Sequence, residues 1–222
     1  MSDQQDFEKW QKQIEDLAAI FEMDVISNPR IFEEYKKIVR NNAAVNFPNG
    51  GRFHLWVERN HYYALLAAIR RIFFNLGDSR EFSFIKIIDG LLASGGGINT
   101  GTYPGLIGVT GTGLISAAAA SSASQGFFDQ NGQLSRPKLT ADRAVLMDAK
   151  RQLKFINERV LHNQQSPTAH IPSSSDLKQI VKTLGDLLKE YRLFLGGSTI
   201  AWSIADYSWV EIFTRPWIDK NV

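Results

Sequence analysis

Residues 157–163 read NERVLHN, with Arg159 three positions before His162 and Asn157 five before it. On a helix, side chains three apart share a face. Histidine is the side chain best poised to exchange protons near neutral pH, and a guanidinium is well shaped to hold an anion. The same residues also suit an ordinary helix C-terminus. There Arg159 and His162 would meet unpaired carbonyls and the negative end of the helix dipole, and Asn163 would stop the helix. Both readings stand on the same spacing.

Two further constellations mimic chemistry. His54, Glu58 and His61 fall at spacings of four and three, and Glu58-x-x-His61 has the spacing found in carboxylate-bridged di-iron bundles. Such a site needs a second Glu-x-x-His. Glu158 and His162 are four apart, so a solvated polar face is expected here and no metal. The run LIGVTGTGLISAAAA places Gly111 and Gly113 before a helix-forming stretch, with Asp129 downstream, in the manner of a dinucleotide-binding turn. That turn works only within a parallel sheet. The flanking sequence is helical, so a flexible insertion is expected and no cofactor.

The elements that must position these residues are read from periodicity. Phe7, Trp10, Ile14, Leu17 and Phe21 form one stripe at helical spacing, on a helix expected to run to Asp24. Ser27-Asn28-Pro29 then reads as a cap and first turn, after which Ile31, Tyr35 and Ile38 resume the stripe and Glu33 supports Lys37. NFPNGGR, residues 46–52, reads as a loop before a long central helix marked by Leu55, Tyr62, Leu65, Ile69, Ile72 and Leu76. FSFIKIIDGLL is a shorter helix or a buried apolar segment.

From Gly90 to Phe128 there is no Asp, Glu, Lys, Arg or His, and Gly, Ala, Ser and Thr dominate. Residues 95–138 are expected to form an inserted excursion. A membrane reading of Pro104 to Phe128 is disfavoured by its Gly, Ser and Thr content. Thr140 is expected to cap a helix carrying Val145, Ala149, Leu153, Ile156 and Val160 and ending near His162. Leu177, Ile180, Leu184, Leu187, Tyr191 and Leu195 form the cleanest stripe, closed by Gly196-Gly197. A last helix from Thr199 carries Trp202 and Trp209 on one face, with Tyr207, Phe213 and Trp217 nearby, for core packing or a subunit interface. Six or seven helices with short connections predict an all-α fold, an antiparallel helical bundle in a single domain, 1–222, with the Gly/Ala/Ser-rich insertion.

The 222 residues are 44% hydrophobic and 22% charged, a balance that excludes a disordered chain. A net charge of +2 announces no nucleic-acid surface by sign alone. The absence of cysteine removes disulfides, thiolate nucleophiles and cysteine metal sites. The polar start MSDQQDFEKWQK lacks the build of a signal peptide, so the cytoplasm is expected.

The order YYALLAAIRRIFF, GDSREFSFIKII, a helix ending INERVLHN, a loop with SPTAH, and SSDLKQIVKTLGDLLKEYRLFLGG resembles the abortive-infection AbiU-like branch of the HEPN superfamily. The similarity spans roughly Phe53 to Ser94 and Thr140 to Gly197. It implies a helical bundle and a metal-independent endoribonuclease of phage defence or toxin-antitoxin type. It also implies RNA as substrate, a homodimer, and an antitoxin or other defence protein as partner. Under this resemblance His162 is the acid and base, Arg159 the phosphate ligand and Asn157 the orienting residue. One departure is clear: Ile156 stands where the pattern has arginine, and Arg159 would have to serve from a shifted position, or Arg151, Arg59 or Arg70 in its stead.

Overall fold

The computed structural model describes residues 3–41, 50–74, 82–94, 97–103, 124, 126–153 and 174–196. These residues are all-α. In chain order they form α1 (Asp3–Ile20), a π-helical segment (Phe21–Ser27), α2 (Asn28–Asn41), α3 (Gly50–Phe73), α4 (Phe84–Ala93), α5 (Arg136–Gln152) and α6 (Ser174–Gly196). Among them no strand forms, only isolated antiparallel bridges at Asn99–Gln133 and Phe128–Leu134. No described helix is long and apolar enough to cross a membrane.

The expected stripes become the core. Phe7, Trp10, Ile14, Leu17 and Phe21 of the first stripe are all buried, as are Leu177, Ile180, Leu184, Tyr191 and Leu195 of the last. Leu188, which the last stripe did not include, is buried with them, while Leu187 is half-buried. The pairing of α1 with α6 is antiparallel, since Gln11 donates to the Leu195 carbonyl at 2.5 Å while Glu15, one turn on, meets Arg192. The chain from the π segment through α2 likewise runs against α3: Phe21 packs edge-on to Phe73, and Phe32 stacks on His61.

Several boundaries differ from the sequence reading. No break separates the first two helices; the chain passes from α1 to α2 through the π segment, where the Asn28 amide donates to the Met23 carbonyl five residues back. Pro29 gives the physical reason. It has no amide for the Val25 carbonyl, and its ring would crowd that carbonyl in an α register. Glu33 pairs with Lys36 at 2.6 Å instead of Lys37, which turns to Glu34. The long helix α3 starts at Gly50, inside the expected loop.

The helix expected from Thr140 begins instead at Arg136, where Ser135 is the cap and Pro137 lies in the first turn, a place where its missing amide costs nothing. It ends at Gln152, and the turn at Leu153 tucks that side chain into the core.

The described ends of the low-charge segment are built into the bundle. Ile98, Tyr103, Phe127 and Leu134 are buried. Phe127 stacks on Phe194 with centroids 4.1 Å apart, Tyr103 stacks on the same ring at 5.0 Å, and the Tyr103 hydroxyl donates to the Phe194 carbonyl at 2.6 Å. The turn between the bridges is closed by Asp129, whose carboxylate accepts from the Asn131 and Gln133 amides, and by Gly132 at φ +72°.

Candidate functional site

Asn157, Arg159 and His162 lie outside the described residues, as do Gly111, Gly113 and the aromatic group Trp202, Tyr207, Trp209, Phe213 and Trp217. Asp129 is described. Its Oδ1 accepts from the Asn131 and Gln133 amides of its own turn.

The helix α5 that leads toward NERVLHN is held by a buried polar network. Asp142 is 8% exposed and accepts from the Tyr191 hydroxyl at 2.9 Å and from the Lys138 ammonium at 3.0 Å. Lys138 also reaches Glu190 at 2.8 Å and lies 4.8 Å from the Phe127 ring centroid. Burial pushes the Tyr191 phenol well above its ordinary pKa, and the neighbouring Asp142 carboxylate adds to the effect. Burial works against the charge of Lys138, but its hydrogen bonds to Glu190 and Asp142 outweigh it and raise its pKa. Every polar group here faces another, so the network ties α5 to α6.

A groove of about 520 Å³ lies between the π segment, α2, α3 and α6. Its floor is apolar: Phe21, Val25, Leu65, Leu177 and Val181. The π register, with its wider turn, sets Phe21, Val25 and Ile26 along the groove together. Gly185 of α6 lets Phe21 pack against the helix backbone, because a Cβ there would stand 3.0 Å from the ring. Lys36, Lys178, Lys182 and Lys189 rim the groove, with Glu33, Glu58 and Asp186 among them.

His61 forms part of the wall. Its ring stacks on Phe32 with centroids 4.3 Å apart and planes 14° from parallel. Burial lowers its pKa first, the Lys36 ammonium lowers it further, and Glu33 opposes both. The structure thus brings Glu58 and His61, two of the three residues singled out on the central helix, to one groove; the His54 side chain is not among those described. Among the described residues no group of three His, Cys, Asp or Glu side chains is arranged to hold a metal ion.

The sequence reading missed Phe32, Lys36 and the lysines of α6 as groove residues. The available signal was the strong amphipathicity of α2, whose apolar residues Ile31, Phe32 and Tyr35 are only half-buried. A second hollow, of about 460 Å³, lies where α4 ends beside the start of α5 and mixes Ser94, Asp129, Gln133 and Arg136 with leucines. Compared with protein-family models, with curated proteins and with solved structures, the chain gives no significant match in any of the three.

Proposed function

We propose that the chain is a HEPN-like helical protein of bacterial defence or toxin-antitoxin type that works in the cytoplasm and binds RNA, with Asn157, Arg159 and His162 as the set acting on a bound phosphodiester. The observation that supports this best is the helical order α3, α4, α5 and α6, which agrees with the resemblance except that α5 ends at Gln152, before INERVLHN. In this reading His162 exchanges protons with the attacking 2′-hydroxyl and the leaving oxygen, and Arg159 stabilises the charge that develops on phosphate. Asn157 orients one or the other. No metal is needed.

The test is incubation of the purified protein with total RNA, beside a His162→Ala variant, with RNA binding measured separately across ionic strengths. Loss of cleavage with binding retained is the expected result. Equal cleavage by both proteins removes the proposed site, and no binding by the wild type at low salt removes the RNA reading.

A second reading, supported by the groove, is a non-catalytic helical module that acts by association, either with a second copy or with an antitoxin or defence protein. A strictly monomeric mass in solution, with no partner bound, counts against it.

A further inference from the structure

The composition of the groove selects for a different kind of ligand from the phosphodiester assigned to residues 157–162. Its volume, about 520 Å³, falls within the range of small-ligand sites, which are mostly apolar with a few polar groups that fix orientation. A nucleobase would need a free ring face on which to stack. Phe32 already stacks on His61 and carries the Lys36 ammonium 5.2 Å from its centroid, Phe21 is packed edge-on to Phe73, and beside these rings and Tyr62 the lining is aliphatic, with Val25, Ile26, Leu65, Leu177 and Val181. That surface suits a hydrocarbon chain.

The rim selects the other end of the molecule. It holds four ammonium groups against three carboxylates. Two of the lysines are paired within their own helices, Lys36 with Glu33 at 2.6 Å and Lys182 with Asp186 at 2.8 Å, and these acids are 60% and 57% exposed. The Lys182 pair is exposed on both sides, and pairs of this kind contribute little, so this lysine can exchange its partner for an incoming carboxylate at small cost. The π segment supplies a separate observation. Such segments are rare, and they occur frequently at functional sites; this one lines the floor.

We propose that this groove binds a single-chain amphiphile with an anionic head, a long-chain carboxylate, whose tail lies on Val25, Leu65 and Val181 and whose head sits among Lys36, Lys178 and Lys182. Calorimetric titration of the full chain with dodecanoate, decanoate and octanoate, below their micellar concentrations, tests it. Dodecyltrimethylammonium serves as the cationic control. Expected are one molecule of dodecanoate per chain, a loss of about fourfold in affinity per methylene removed, and binding of the cationic control weaker than dodecanoate by roughly tenfold. Val181→Asp abolishes binding by charging the floor. Lys182→Glu, at an exposed position that leaves the core untouched, weakens it severalfold with an unchanged thermal melt.

No binding of dodecanoate by the folded wild type overturns the proposal, as does equal affinity for the two head groups or for the three chain lengths. Binding of a single-stranded RNA oligonucleotide that is lost in Lys182→Glu and is not displaced by dodecanoate would overturn it in favour of a groove made for RNA. The proposal assigns no role to His162, so failure here leaves the cleavage test standing, and failure of that test leaves the groove reading standing.

Discussion

Truncating Phe194 to alanine tests whether the described ends of the low-charge segment are part of the core. Phe194 is fully buried and sits between three aromatic rings contributed by that segment: Tyr103 and Phe127 stack on it at 5.0 and 4.1 Å, and Phe128 meets it edge-on at 6.0 Å. Phe7 of α1 approaches from another direction at 6.5 Å. Removing a buried phenylalanine side chain costs about 3–5 kcal/mol in lost transfer energy and cavity. The lost ring pairs place the change toward the upper end, since each is worth about 0.5–1.5 kcal/mol beyond area. For a domain of this size the melting temperature should fall by roughly 6–20 °C. Phe194→Leu retains most of the apolar volume but none of the stacking, so about 1–2 kcal/mol should be lost. Urea unfolding followed by circular dichroism gives both values. A loss below about 1 kcal/mol for Phe194→Ala would mean that Tyr103 and Phe127 do not pack as described, and the reasoning fails.

Three other outcomes are expected. Gly90→Ala places a methyl 2.7 Å from the Trp10 indole, an overpacking of about 1–3 kcal/mol against a gain in helix propensity of up to about 1 kcal/mol; a net loss in chemical denaturation is predicted, and a stabilised variant would refute the contact. Tyr103 and Tyr191 both have pKa values raised by burial, and Lys138 is raised with them, so the folded state holds protons that the unfolded chain releases above about pH 10. Their contribution is complete below that pH and lost as pH rises, so stability should fall from about pH 10 upward, less steeply in Tyr191→Phe; a flat stability profile to pH 11 would contradict it. The His61 imidazole should titrate below 6.5 in NMR, and Lys36→Gln should move its midpoint upward; no change in the variant would place the ammonium elsewhere.

The residue pattern alone was enough for the all-α class and for the faces of α1 and α6, because a stripe such as Phe7, Trp10, Ile14 and Leu17 encodes local helical geometry and needs no knowledge of what covers it. Glu58 and His61 were legible as one face for the same reason. The rest depended on neighbours distant in the chain. Phe127 reads as the end of a glycine-rich run until Phe194 lies against it, 67 positions later, and a bundle core accepts such residues wherever the backbone delivers them. Ser27-Asn28-Pro29 reads as a helix start, yet the chain passes through a π turn there, with Phe21 packed on Phe73 and against Gly185. The groove exists only because α2 and α6 stand on either side of that turn; no spacing within one helix could announce it, since its floor and its lysines come from elements joined by tertiary contact alone.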